Sequence, residues 1–176
     1  MLWAGTQSNS MRLIIKTGLY TGMRIGGICA LRACDVYLDE GLAAFYVRKG
    51  KTDAAQRTVP LCDELMKDIH ELVSTLEPEA LLFGTDGKNA SRDFSRFKTS
   101  KITRDMTKRF HSFRVHMATA FSRAGIDELT AAFILGHKGG KTMFYGYYAK
   151  ADELHRLKEA IGAAVSVVNR DWLQYN

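Results

Sequence analysis

Arginine, lysine, histidine and tyrosine side chains recur along this chain in an order that could act on a phosphate ester. Arg24 stands in TGMRIGG, just after a glycine-containing break, and Lys51 stands in the polar stretch KGKTDAAQ. His111 and Arg114 share the tetrapeptide HSFR, and His137 follows Gly136 in LGH. Tyr145, Tyr147 and Tyr148 crowd the stretch FYGYYAK. Residues at i and i+3 of a helix project to one side, so His111 and Arg114 can offer an imidazole N–H and a guanidinium fork to a single phosphate. Preorganised donors around a hydroxyl nucleophile are the parts that phosphoryl transfer needs. No carboxylate cluster and no metal-ligand spacing accompanies them, which argues against a metal-dependent nuclease.

Each of these residues also has a plainer reading. His111 and Arg114 could decorate a surface helix. Lys51 could keep a hairpin tip soluble, and His137 could cap helix carbonyls. Arg24, between Met23 and Ile25, is expected to be partly buried and to need an anionic partner, either a structural carboxylate or a ligand phosphate. Spacing alone leaves all three tyrosines open as the nucleophile.

Charge supports an anionic partner. The chain of 176 residues carries 25 Lys+Arg against 19 Asp+Glu. The excess is concentrated between residues 88 and 123, where Arg92, Arg96, Lys98, Lys101, Arg104, Lys108 and Arg109 precede Arg114, with only Asp93 and Asp105 to offset them. Such a run is either solvated helix surface or a track for a polyanion. Cys29, Cys34 and Cys62 are an odd number without ligand spacing, which fits a reduced, cytoplasmic setting. The start MLWAGTQSNS lacks the pattern of a secretory signal, and no apolar run is long enough to span a membrane.

Hydrophobic periodicity predicts the elements that would position these groups. A helix is expected over residues 9–20, capped by Ser8 or Asn9, and a short one over IGGICALR. DVYLDEGLAAFYV reads as two strands joined at Asp39-Glu40-Gly41, and RTVPL as a third. Residues 63–76 form an amphipathic helix with Leu65, Ile69, Leu72, Val73 and Leu76 on one face. A short extended piece follows at 80–83. Further helices are expected over 90–98, 103–108, 111–124, 127–135 and 152–168, with Gly125 and Gly136 as C-terminal caps. The fold class is α+β: one mainly helical domain, residues 1–176, with a small three-stranded antiparallel sheet.

The ordered set TGMRIGGICALR, KT…RTVPL, HSFRVHMAT, LGH and a tyrosine before Ala149-Lys150 resembles the catalytic domain of tyrosine recombinases, in particular phage-type integrases. It covers nearly the whole chain, from about Thr21 to Lys150. The resemblance implies site-specific breakage and rejoining of double-stranded DNA through a 3′-phosphotyrosyl intermediate, without metal or nucleotide. It implies self-association, as a tetramer on DNA, in the full-length protein, and a place at the nucleoid. Arg24 would be the first catalytic arginine, Lys51 the hairpin lysine, His111 and Arg114 the His-x-x-Arg pair, and His137 the later histidine. Tyr148, directly before a small residue and a lysine, would be the nucleophile, with Gly139-Gly140 letting the segment turn back.

The sequence departs from the family pattern in two places. Gly27 stands where the family usually has an acid, three residues after the first arginine. Val115 stands where many members have a histidine, and His116 comes one later. The separate N-terminal DNA-binding domain that family members usually carry is not recognisable, so the chain reads as the catalytic domain alone. The alternatives are a catalytically weakened or inactive DNA-binding fragment and a strand-passing enzyme of the type IB topoisomerase kind.

Overall fold

The computed structural model describes residues 9–39, 41–48, 56–137 and 151–174. Lys51, Tyr145, Tyr147, Tyr148 and the Gly139-Gly140 pair lie outside them. Among the described residues the helices are α1 (Asn9–Thr21), α2 (Ile25–Cys29), α3 (Asp63–Val73), α4 (Gly87–Lys101), α5 (His111–Arg123), α6 (Glu128–Leu135) and α7 (Ala151–Gln174). The strands are β1 (Val36–Asp39), β2 (Leu42–Val47) and β3 (Arg57–Pro60).

The strands make one antiparallel sheet in the order β1-β2-β3, with Val36 opposite Phe45, Phe45 opposite Val59, and Val47 opposite Arg57. Alternation along β2 sorts its side chains between two apolar layers. Ala43, Phe45 and Val47 join the main core, whereas Leu42 and Ala44 pack with Leu154 at the start of α7. Both faces of β2 are therefore covered, which is why this strand reads as a continuous apolar run.

α5 lies at the centre, packed against α1, α6 and α7. Its Met117 and Phe121 are fully buried, as are Ile14 and Ile15 of α1 and Leu157, Ile161 and Val168 of α7. Phe94, Phe110 and Phe113 meet edge to face at centroid distances of 5.2–5.9 Å and fasten α4 to the start of α5. The expected caps are present: Gly125 and Gly136 adopt φ of 73° and 72°, and the N–H of His137 reaches back to the carbonyl of Ala132 at 2.9 Å.

The expected helix over 103–108 does not form. Asp105 accepts hydrogen bonds from the N–H and hydroxyl of Thr107, and the Thr103 hydroxyl accepts the N–H of Asp105. Ser, Thr and Asp side chains compete for backbone groups in this way and favour turns over helix. α4 instead starts early, because Asp86 accepts from the N–H groups of Lys88 and Asn89 at 2.8 and 3.0 Å.

Candidate functional site

The site is built where α1 ends. Gly22 takes φ 65°, and a side chain there would collide with Leu135 and crowd Met117. The turn points Met23 into the core, at 2% exposure, and leaves Arg24 exposed at the N-cap of α2. The expectation that Arg24 is partly buried is therefore corrected. It sits ahead of the helix, where its backbone carbonyl is engaged by Gly27 and Ile28.

Arg114 is the buried member of the site, at 3% exposure on α5. Its Nη1 donates to the carbonyl of Gly22 at 3.0 Å, so the turn that presents Arg24 also anchors Arg114. Its Nη2 is buried and has no hydrogen-bond partner among the described residues. A buried donor left unmade costs about 1–3 kcal/mol, more for a charged group. Burial, together with the nearby positive charge of Arg24, pushes the Arg114 guanidinium down to about 10.

His137 emerges from the end of α6. Its imidazole is held below the ordinary histidine range, first by partial burial and then by the positive charges of Arg114, Arg24, Arg57 and His111. The structure thus brings Arg114, Arg24, Arg57 and His111 within electrostatic reach of His137, and each of them lowers its pKa. An imidazole kept neutral at pH 7 can accept a proton, which an imidazolium cannot. No group of three His, Cys, Asp or Glu side chains that could hold a metal ion occurs among the described residues.

Arg57 joins this cluster, a role not assigned to it from the sequence. It is 9% exposed, its Nε donates to the carbonyl of Ile134 at 2.8 Å, and burial next to Arg114 and Arg24 pushes it down to about 10. The only signal is its place at the head of RTVPL, which reads as strand.

Comparison with known proteins identifies the family. The model of the phage integrase family matches residues 3–155. This chain belongs to the phage integrase family. No curated protein matches. Among solved structures, the integrase from mycobacterium phage Brujita superposes with a TM-score of 0.66 at 17% identity, covering 93% of this chain and 54% of that one. XerA recombinase gives 0.61 at 24% identity, covering 89% and 58%. The lambda integrase catalytic core gives 0.55 at 22% identity, covering 78% and 90%. At such identities the likeness is one of fold. This integrase-family chain spans little more than half the length of the first two relatives.

The basic run of this integrase-family chain divides in two. Arg92, Arg96 and Arg104 line a shallow groove with Ser95, Thr99 and Ser100, on α4 and the turn after it. Lys101, Lys108 and Arg109 are also exposed. Lys98 is different: it is 6% exposed, and its ammonium donates to the carbonyl of Asp105 at 2.7 Å. It holds the 103–108 turn, and a place for it on the solvent-facing track is corrected. Gly27, at the position of the usual family acid, has open space around it: the nearest atom to a Cβ placed there would be Met23 Cε, at 3.9 Å. Val115 is 57% exposed and His116 is half-buried. Cys29 and Cys62 are buried thiols pushed up to about 12, chiefly by burial, and are unsuited to nucleophilic work.

Proposed function

We propose that this chain cleaves and rejoins double-stranded DNA as the catalytic part of a site-specific recombinase, through a tyrosine covalently linked to a 3′-phosphate. The observation that carries the reading is Arg114: a sealed guanidinium, fixed by the Gly22 carbonyl, with one buried donor left unmade among the described residues. A scissile phosphate supplies the missing acceptor and offsets the repulsion between Arg114 and Arg24.

In this mechanism Arg24 and Arg114 hold the non-bridging oxygens as charge builds on them. The phenol oxygen of Tyr148 attacks phosphorus, and the bond from phosphorus to the 5′ oxygen breaks. A free phenol has a pKa of about 10 and is about one-thousandth ionised at neutral pH, so the proton must be taken or the phenolate favoured. The arginines favour the phenolate, and neutral His137 can accept the proton, with His111 as a further donor to the phosphate. Lys51 is assigned to protonate the departing 5′ oxygen. The phosphodiester energy is kept in the phosphotyrosyl bond, so a 5′-hydroxyl can reverse the step without ATP. Arg92, Arg96, Lys101, Arg104, Lys108 and Arg109 are assigned to the DNA backbone, and a tetramer on DNA to the full-length protein.

Gly27 favours a second reading, a catalytically weakened DNA-binding fragment. One experiment separates the two. The chain is incubated with a nicked duplex carrying its candidate recombination site, and an SDS-resistant protein–DNA adduct is sought. The first reading expects the adduct, its loss in Tyr148→Phe, and unchanged DNA binding in that variant. DNA binding without any adduct supports the second.

A further inference from the structure

Arg57 opens β3, opposite Val47 of β2, and its side chain leaves the sheet for the end of α6. Nε donates to the carbonyl of Ile134, one of the helix-end carbonyls that lack an intrahelical partner. The guanidinium lies against the Gly136 turn, so closely that a methyl group at position 136 would sit 2.7 Å from its Cζ and Nη1. His137 is the next residue. The turn has φ 72° at Gly136, so glycine is required there twice over: by its backbone conformation and by the guanidinium pressed against it.

Holding a strand to a helix end does not by itself call for a cation. The guanidinium is 9% exposed, and burial and the neighbouring charges of Arg114 and Arg24 both disfavour its charged form. What it supplies that an apolar side chain cannot is a directed N–H to Ile134, a rigid plane beside the Gly136 turn, and positive charge near His137.

We propose that Arg57 is a positioning residue of the DNA-cleaving site: it pins the Gly136–His137 turn to β3, fixing where the His137 imidazole stands. This rests on the recombinase reading for its consequence in catalysis, but not for its effect on His137. The planar fork is the necessary feature, so lysine is only a partial substitute. The charge of Arg57 also adds to burial, Arg114 and Arg24 in holding the His137 pKa down.

The test uses the full chain as Arg57→Met and Arg57→Lys, with two readouts. The first needs no DNA: the His137 imidazole is titrated by NMR. In the parent chain it titrates below the ordinary histidine range. In Arg57→Met it moves upward but stays below the ordinary range, because burial, Arg114 and Arg24 still act on it, and in Arg57→Lys, which keeps a cation, it stays where it is in the parent. The second is single-turnover cleavage of a nicked duplex, with affinity measured in parallel. Both variants cleave more slowly, Arg57→Met by about 100-fold and Arg57→Lys by about 10-fold, the scale of a misplaced reacting group. Affinity changes little, because only one nearly sealed cation is altered. If His137 titrates identically in the parent and in folded Arg57→Met, the proposal is overturned, whether or not DNA is cleaved. Should Arg57→Met not fold, Arg57→Lys decides: parental cleavage at parental affinity overturns the proposal. A parent chain that forms no adduct sinks the recombinase reading alone, and the titration still decides the role of Arg57.

Discussion

Arg57 and Arg114 are nearly sealed from solvent and lean on backbone carbonyls, whereas Arg92, Arg96 and Arg104 stand along α4 and the turn after it, on an open groove. The first pair is fixed by Ile134 and Gly22, each at a helix end or turn. Arg92 and Arg96 share a loose contact with Asp93, at 3.6 and 3.9 Å, with most of their side chains in water. Exposed pairs of this kind hold their partners weakly. The same residue type is thus used in two ways. Buried guanidiniums have fixed positions and a high cost of charge, which suits recognition of one phosphate in one place. The exposed ones on and after α4 are screened by salt, which suits contact with any phosphate along a backbone.

The largest expected effect is at the buried end of this contrast. Arg114→Lys is expected to lower single-turnover cleavage by about 1000-fold or more, because a point charge cannot bridge the Gly22 carbonyl and a phosphate as the planar fork does. Its effect on the salt dependence of DNA binding is expected to be no more than about one in the logarithmic slope. Equal damage to binding and cleavage would dissolve the distinction between the two regions.

The exposed region is expected to behave in reverse. Replacing Arg92, Arg96 and Arg104 together with alanine should reduce the slope of log affinity against log salt by about 2–3, one increment for each phosphate no longer neutralised. Cleavage at saturating DNA should persist. An unchanged salt slope, measured between low and moderate salt, would remove α4 from the DNA track.

The smallest effect concerns Gly27, beside Arg24. A Cβ at this position meets no atom closer than 3.9 Å, so the backbone there accepts a side chain. Removing a helical glycine contributes about 0.5–1 kcal/mol, and an exposed pair with Arg24 about 1 kcal/mol at most. The melting temperature is expected to rise by about 2–4 °C, with cleavage unchanged or faster. A fall in both would mean that the position needs glycine.

What is legible in the sequence follows the range of the interaction. β1, β2, β3, α3 and α6 are legible because alternation, amphipathic spacing and terminal glycines are local signals, and each is met within its own segment. The turn at 103–108 is not, because it is held from outside its own segment, by Lys98 of α4 reaching the Asp105 carbonyl. α7 runs to Gln174, beyond the expected end at residue 168, since the apolar spacing fades before the helix does. The basic run is visible as composition, but composition does not separate Lys98, folded inward onto Asp105, from Arg96 in solvent. Arg57 is least legible: its burial depends on α6 ending against it, 77 residues further along the chain. Arg24 departs in the other direction. Its neighbours Met23 and Ile25 suggest burial, but the left-handed turn at Gly22 sends Met23 inward and leaves Arg24 outside.

The central claim is that this cluster of guanidinium and imidazole groups serves a tyrosine that becomes bonded to DNA. The most direct measurement is mass spectrometry of the peptide cross-linked to a nicked duplex carrying the candidate site. A phosphodiester on Tyr148, joined to the 3′ end of the cleaved strand, is the expected product. Attachment at Tyr145 or Tyr147 would move the nucleophile and keep the chemistry, while a chain that binds the cleavable duplex and yields no tyrosine adduct contradicts the claim.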